Sequence, residues 1–238
     1  YTLMAANGFR IKERLMRLSD SLLGNRFWRG MIVPGGVTRD WSKDECALIL
    51  HTVQEAVREM QQLIAMAMQS DGLRERLETS GVLKQDAAIA YGAVGLPARA
   101  SGVTRDVRAS HPYAAYPDVS WKMITAEDGD VYARYRCRVD ELGVSLKILE
   151  EALLLHQGSP VAVDVKLKDG SALSSVESWR GEILTVVHLK DGKIDRCFPR
   201  DPSFCNWALF GELGPGNIVP DFPLCNKSLN LSYSGNDL

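Results

Sequence analysis

The sequence predicts a mainly α-helical fold with a small antiparallel β element, which places the chain in the α+β class. Two long segments, one behind Ser42 and one behind Asp128, carry apolar residues at helical spacing. A later segment changes to a period of two and contains a hairpin signal at Asp191-Gly192. These observations predict a bundle of long helices followed by a small sheet, within a single domain over 1–238.

The helical part is predicted over 1–158. A first helix is expected from Gly8 to Leu23, and Ser42 and Glu45 have the spacing of a capping box at the start of the first long helix. Shorter helical segments are expected at Leu73–Thr79 and behind Asp86. The second long helix is expected to begin at Asp128 and to end at Gly158-Ser159-Pro160.

The β element is predicted over 160–200. Residues 161–170 alternate between apolar and polar, as a half-buried strand does, and residues 182–200 form the hairpin around Asp191-Gly192. The last part, 201–238, is expected to return to short helices and loops.

The composition excludes several classes of function. Lys and Arg number 28 against 30 Asp and Glu, and a net charge of −2 gives no support for nucleic-acid binding. No apolar run is long enough to span a bilayer, so membrane association is expected only through partners. The chain also has no P-loop, no GxGxxG stretch and no nucleophile elbow, so the sequence gives no sign of nucleotide or dinucleotide binding or of serine-hydrolase chemistry.

The five cysteines indicate a reducing compartment, because their number is odd and no CxxC pair occurs. We therefore expect a cytoplasmic protein. Their spacing matches no zinc pattern, and buried apolar roles are the simpler interpretation. The cysteines are Cys46, Cys137, Cys197, Cys205 and Cys225.

Four motifs resemble one family, in the order in which that family carries them. They are "RGMIVPGGV" at 29–37, "RASGVTRDVR" with "HPYAAY" at 99–116, "GDVYARYRCRVDELGVSLKILEEAL" at 129–153 and "VESWRGEI" at 176–183. The resemblance is to the C-terminal part of the quinone-side large subunit of respiratory complex I (the 49 kDa type) and of the homologous [NiFe]-hydrogenase large subunit. Ser178-Trp179 stands where this family usually has Ala-Pro.

The resemblance gives a meaning to the last residues, "NLSYSGNDL". In hydrogenases of this family the second pair of metal-binding cysteines lies here, and Ser232 and Gly235 stand at those two positions. A nickel–iron centre needs thiolate ligands, which neither residue supplies. We therefore expect a buried ending, not a frayed tail, with no nickel, no iron and no hydrogenase activity.

Two residues are candidate catalytic groups, Arg180 and Asp237. The resemblance implies that Arg180 lies beside the former metal site and can face a quinone or water. The alternative is that Arg180 forms an ion pair that holds the core together, with Glu177, Glu182 or Asp201 as its partner.

The resemblance also indicates a buried charge network and a partner interface. The network comprises Asp130, Arg134, Arg138, Glu141, Glu177 and Glu182; the alternative is a solvated helix with weak i,i+3 and i,i+4 pairs. The interface with an iron–sulfur subunit is expected in the long irregular connection, at Arg99, Arg105, Arg108 and His111. A lone loop histidine such as His111 more often has a simple hydrogen-bonding role than a role as a ligand or proton carrier.

The resemblance implies a subunit of a complex I-like or hydrogenase-like oxidoreductase complex, peripheral to the inner face of the cell membrane. The chain would hold no cofactor of its own and would form part of the cavity where electrons from a partner's Fe–S cluster reach quinone or another acceptor. The alternative is a non-catalytic scaffold or assembly subunit. A homodimer of the isolated chain is also expected to be accessible, because surfaces made for partners expose apolar groups.

Overall fold

The computed structural model describes residues 2–155 and 161–237. Where the sequence analysis expects a single domain, the backbone contacts form two compact units. The first unit comprises Tyr1–Ser70 and Leu142–Lys166, and the second comprises Asp71–Glu141 and Leu167–Leu238. Each is described by itself below.

The described residues form helices and short antiparallel sheets, which confirms the predicted α+β class. The helices are α1 Thr2–Leu23, α2 Lys43–Met68, α3 Asp71–Leu77, α4 Gln85–Ala90, α5 Gly95–Arg99, α6 Val107–Ser110, α7 Val131–Leu155, α8 Pro202–Asn206, α9 Phe210–Leu213, α10 Phe222–Leu229 and α11 Tyr233–Asn236, with a 3-10 turn at Val219–Asp221. The strands are β1 Ile32–Val33, β2 Gly36–Val37, β3 Gly170–Ser178, β4 Gly181–Lys190 and β5 Lys193–Arg200.

The first unit is built on α1, α2 and the C-terminal part of α7. Leu18, Leu22 and Ile49 are buried together, and Leu149 and Leu153 of α7 pack against them. The predicted capping box is present: the Glu45 amide donates to the Ser42 hydroxyl (3.2 Å), and the Ser42 amide donates to the Glu45 carboxylate (2.8 Å). Local sequence signals therefore fix where α2 begins.

The second unit packs short helices around the first part of α7 and carries the sheet of β3, β4 and β5 in sequential antiparallel order. Its core includes Leu96 and Ala100 near α5 and Ala133 and Cys137 of α7. The predicted hairpin turn is confirmed, since Asp191 (φ 53°) and Gly192 (φ 68°) are the two residues between β4 and β5. Positive φ at both positions matches the twist of a two-residue hairpin.

Two boundaries differ from those that the sequence predicts. The prediction of a strand at 161–170 is wrong, because β3 begins only at Gly170. The Val161 carbonyl instead accepts from the Val37 amide of β2, and the Val163 amide donates to the Gly35 carbonyl. The pairing is a single bridge, because β2 is only two residues long. The second long helix begins at Val131, not at Asp128, and its predicted end at 158–160 lies outside the described residues.

Within the described ranges, no helix combines the length and the apolar character needed to cross a bilayer.

Candidate functional site

The last described residues fold back onto the second unit. Helix α10 ends at Asn230, whose left-handed backbone (φ 56°) turns the chain. The Ser232 amide then donates to the Ser203 hydroxyl (2.9 Å), and the Ser232 hydroxyl accepts from the Gly235 amide (3.1 Å), capping α11. The two positions singled out in the sequence are therefore tied to the body of the unit.

Gly235 is buried against a carboxylate. A Cβ atom at this position would lie 2.6 Å from the Asp201 Cγ and 2.8 Å from its Oδ1, so no side chain fits without displacing Asp201. Asp201 is itself held in place, because its Oδ1 accepts from the Ser203 amide (2.8 Å) at the start of α8. The Asp-Pro sequence at the start of α8 is a helix-start signal that could have identified this carboxylate.

Arg180 lies beside the same terminal segment. Its Nε donates to the Asn230 carbonyl oxygen (2.7 Å), and its guanidinium stacks over the Trp179 ring at 4.0 Å. The two terminal nitrogens of Arg180 have no partner among the described residues. The Arg180 guanidinium is thus held through Nε, while its two terminal nitrogens are available to donate to a ligand.

The ion pair considered for Arg180 is not formed with Glu177, Glu182 or Asp201. Among the described residues, Glu177 pairs with Arg99, and Glu182 pairs with Arg105 and Arg200. Trp179, which replaces the family's usual proline, is 62% exposed and provides the surface on which Arg180 stacks. Sequence spacing could not show this, because the main partner of Arg180 is a backbone carbonyl.

The position of Arg180 depends on a contact between two glycines. Gly95 opens α5 with a left-handed backbone (φ +66°), and a Cβ there would overlap the Arg180 carbonyl oxygen and the Gly181 Cα. Only glycine allows both the conformation and the close approach. Sequence reasoning missed Gly95, since nothing local shows which backbone will pass over it.

An apolar cavity of about 130 Å³ adjoins the terminal segment, with Gly235 in its wall. The other lining residues are Phe198, Pro199, Arg200 and Phe204. Phe204 is 61% exposed, so the cavity lies at the surface of the unit. Asp237, the second catalytic candidate, is exposed after α11, and no described contact joins it to Arg180.

A buried charge cluster lies between α5, α6, α7 and β3. Arg99 contacts Asp106 (3.1 Å), Glu177 (3.0 Å) and Glu141, while Arg108 contacts Asp106 (2.6 Å) and Glu141 (3.7 Å). The side chains of Arg99 and Glu177 are each 3% exposed, and that of Asp106 is fully buried. We call these five residues the Arg99 cluster.

Burial and charge move the pKa values in the Arg99 cluster in defined directions. Burial, assisted by the charge of Asp106, raises the pKa of Glu177. For Arg108, burial opposes the charged form, but the hydrogen bond and charge of Asp106 outweigh it and raise the pKa. The Arg108 guanidinium therefore stays charged, and burial disfavours the ionised form of Glu177.

Arg134 and Arg138 of α7 are buried among carbonyl and hydroxyl groups. Arg134 donates to the carbonyl oxygens of Gly129 (2.6 Å) and Gly81 (2.8 Å) and to the Ser228 hydroxyl (2.9 Å). Arg138 donates to the Ser228 carbonyl oxygen (2.5 Å). Burial lowers the pKa of each guanidinium to about 10, so both remain cationic near neutral pH.

The pairs that helical spacing suggests for these arginines are not formed among the described residues. Asp130 accepts instead from the amides of Thr79 (2.8 Å) and Ala133 (2.7 Å) at the start of α7. Glu141 faces Arg99 and Arg108, not Arg138. The charge network that the sequence predicts is therefore divided into three separate groups. They are the Arg99 cluster, the Arg134–Arg138 site and a group around Glu182.

The third group lies on the sheet, close to solvent. Glu182 contacts Arg105 (2.9 Å), Arg200 (3.0 Å) and the Ser175 hydroxyl (3.0 Å). Burial would raise the pKa of Glu182, but the hydroxyl and the two arginines lower it. Glu177 and Glu182 face each other in register on β3 and β4, yet their pKa values move in opposite directions.

Of the four residues predicted at a partner interface, two are largely buried and two are exposed. Arg99 is buried, and the Arg108 side chain is only 13% exposed, so neither presents its charge to a partner in this conformation. Arg105 is 51% exposed, and His111 is exposed beside the Ser110 hydroxyl (3.1 Å). A direct interface role is therefore consistent with the placement of Arg105 and His111 only.

The described residues contain no group of three or more His, Cys, Asp or Glu side chains arranged to share a metal ion. At the former ligand positions, one residue supplies a hydroxyl already engaged with a backbone amide, and the other has no side chain. This donor set does not fit a thiolate-bound nickel–iron centre.

The fold is that of a large-subunit family found in respiratory and hydrogenase complexes. Residues 2–166 match the model of the respiratory-chain NADH dehydrogenase 49 kDa subunit family, and the chain belongs to that family. The membership that the four motifs indicate is thereby confirmed.

Curated relatives include both branches of the family. The chain is 29% identical to a D-type NADH-quinone oxidoreductase subunit of Chloroherpeton thalassium, with 93% of this chain and 57% of that protein covered. It is 31% identical to the membrane-bound hydrogenase subunit alpha of Pyrococcus furiosus, covering 95% of this chain and 57% of that protein. The chain thus spans little more than half the length of these relatives.

A solved structure has the same fold. A chain from the membrane-bound sulfane sulfur reductase, an archaeal respiratory membrane complex, superposes with a TM-score of 0.88 at 28% identity. The match covers 96% of this chain and 65% of that one. Both relatives are named as subunits, and the Pyrococcus protein and the solved structure belong to membrane-bound complexes.

Proposed function

We propose that this chain forms part of the large subunit of a membrane-associated oxidoreductase complex, at the place where electrons reach quinone or another acceptor. The electrons would come from an Fe–S cluster on a partner subunit. The chain itself would hold no cofactor, and the complex would lie on the cytoplasmic face of the membrane.

One observation carries the proposal: the terminal segment is folded against Asp201, Ser203 and Arg180, at the positions where hydrogenases of this family hold their metal. Arg180 offers two donors that no described residue engages, and the terminal segment that it contacts borders an apolar cavity through Gly235. An acceptor with a planar ring and oxygen atoms suits such a site, because the ring fills apolar space and the oxygens accept from the guanidinium.

Nickel–iron chemistry is not part of this proposal. A serine hydroxyl remains protonated near neutral pH and does not replace a thiolate, and Gly235 has no donor. In addition, Asp201 fills the space that a ligand side chain at position 235 would need. The Asp201 carboxylate thus closes the former metal site from one side.

The proposed partner is an iron–sulfur subunit, and Arg105 and His111 are the proposed contacts. Both lie in the connection around α6, and both are exposed. An arginine whose charge is only partly balanced suits the surface near a reducible cluster. Other subunits of the complex, and a second copy of the isolated chain, are further partners that the exposed apolar side chains would accommodate.

Arg180→Ala tests the proposed function in the full-length subunit assembled with its iron–sulfur partner. The rate at which the reduced cluster is reoxidised by a soluble quinone is expected to fall about 10- to 100-fold. This corresponds to the loss of one charged hydrogen bond of about 1.5–3 kcal/mol. Cluster content and complex yield should remain unchanged.

Arg196→Ala is the matched control, because Arg196 is an exposed arginine of β5 whose loss should leave the rate unchanged. Equal rates for Arg180→Ala and the unsubstituted protein, in an intact complex, would contradict an acceptor-binding role.

A non-catalytic scaffold is the second candidate, and the closing of the site by Asp201 favours it. For this function, the subunit would support assembly while electrons took another route. An intact complex with quinone reduction unaffected by Arg180→Ala is the result that this candidate predicts.

A further inference from the structure

We propose that the Arg99 cluster is a proton-binding site and that Glu177 is the residue that holds the proton. This inference does not depend on the proposed function, because it rests on side chains within the second unit alone.

The charge count of the five-residue cluster favours a bound proton. Three carboxylates, those of Asp106, Glu141 and Glu177, face the two guanidinium groups of Arg99 and Arg108. Full ionisation would leave one uncompensated negative charge in a group of largely buried side chains. Such a charge is strongly disfavoured, and protonation of one carboxylate removes it.

The contacts of the three carboxylates distinguish them. Asp106 accepts from Arg108 through both oxygens (2.9 and 2.6 Å) and also contacts Arg99, so its ionised form is the best stabilised. Glu141 is 21% exposed and therefore keeps some solvation. Glu177 is buried, contacts a single guanidinium and faces Asp106, which makes it the site of the proton.

Among the described residues, Glu177 accepts one hydrogen bond besides the Arg99 contact, from the Val107 amide (3.1 Å). Burial and the neighbouring Asp106 charge raise its pKa, which agrees with the contacts. A protonated carboxyl can keep the amide contact through its carbonyl oxygen, so the geometry suits the neutral form.

Outside the cluster, the described cation that interacts with it electrostatically is Arg138, through Glu141. Among the described residues, Arg99 is the one cation that contacts Glu177. From α7, burial raises the pKa of the Cys137 thiol to about 11, and Arg138 is turned to the Ser228 carbonyl. Before β3, the Tyr113 hydroxyl binds the Glu177 backbone, and its burial raises its pKa, so it too is neutral. Tyr116 and Trp121 contribute rings that stack near Arg108.

Across the sheet, Arg105 and Arg200 are occupied by Glu182. Arg105 is 51% exposed and Arg200 is 26% exposed, so water screens both charges from Glu177.

The cluster also contains an unpaired donor. The Nε of Arg99 is buried and has no acceptor among the described residues, although Nη1 and Nη2 are both engaged. Buried donors of this kind ordinarily bind an ordered water.

Glu177→Gln and Glu182→Gln form a matched pair for the test. The raised pKa of Glu177 means that its contribution to stability is full below the unfolded glutamate pKa of about 4.3 and is lost as pH rises through the folded value. The lowered pKa of Glu182 gives the opposite sign: its contribution is present above about pH 4.3 and is lost on acidification.

The measurement is the free energy of unfolding of the purified full chain as a function of pH. The stability of the unsubstituted chain relative to Glu177→Gln should decrease as pH rises, whereas its stability relative to Glu182→Gln should increase over the acidic range. The same slope for both variants would overturn the assignment to Glu177.

Infrared spectroscopy with ¹³C-labelled glutamate gives a direct readout, and one that does not require Glu177→Gln to fold. The band of a protonated carboxyl group should persist above about pH 4.3, where an ordinary glutamate is already half ionised, in the unsubstituted chain and in Glu182→Gln. It should be absent in Glu177→Gln. Absence of the band from the unsubstituted chain would overturn the proposal.

Discussion

Arg99→Met is expected to destabilise the chain by about 3–5 kcal/mol, because it removes the cation shared by three carboxylates. Methionine has a similar length, so the variant removes charge and hydrogen bonds more than volume. Asp106 and Glu141 would then share only Arg108, and Glu177 would lose its guanidinium contact. Urea unfolding of the two purified chains measures the difference.

Arg105→Met is the control for this substitution. Arg105 makes one ion pair, with Glu182, and is 51% exposed, so its loss should cost less than about 1 kcal/mol. Similar losses for the two variants would contradict the central position assigned to Arg99.

Gly95→Ala is the second substitution with a large expected effect. The alanine Cβ would overlap the Arg180 carbonyl and the Gly181 Cα, both of which are backbone atoms that cannot rotate away. We expect a strain of about 1–2 kcal/mol from the left-handed backbone and a further cost of about 1–3 kcal/mol from the overlap. The turn that carries Arg180 should shift as a result.

Comparison with Gly92→Ala separates the energetic cost of the overlap from the cost of the backbone strain. Gly92 has nearly the same φ (+65°) but has open space where its Cβ would lie. Thermal or urea unfolding should therefore show a smaller loss for Gly92→Ala than for Gly95→Ala. Equal losses would mean that the contact between Gly95 and the Arg180 turn is not tight.

Local signals predicted the features that depend on neighbouring residues. The capping box of Ser42 and Glu45 and the turn at Asp191-Gly192 are formed as the sequence predicts, because both depend on residues within a few positions of each other. The alternating pattern at 161–170 predicted a strand that does not form, because strand formation depends on residues elsewhere in the chain. A strand needs a partner strand, and the periodicity of one segment does not show whether it has one.

The candidate site was harder to predict, because its contacts join distant parts of the chain. Arg99 reaches Glu177, 78 positions away, and Arg180 reaches the Asn230 carbonyl, 50 positions away. Family resemblance located Arg180, Ser232 and Gly235, but it did not identify Asp201 as the group that fills the site. Arg134 and Arg180 bind backbone carbonyls. Because every residue has a backbone carbonyl, the sequence does not show which one will be the partner.

The closed metal site is the central claim, and the nickel content of the full-length subunit tests it most directly. The protein should be purified from cells supplied with nickel, with a hydrogenase large subunit from the same culture as the positive control. We predict no stoichiometric nickel, because Ser232 and Gly235 provide no thiolate and Asp201 occupies the space beside Gly235. One nickel ion bound per chain would contradict the account.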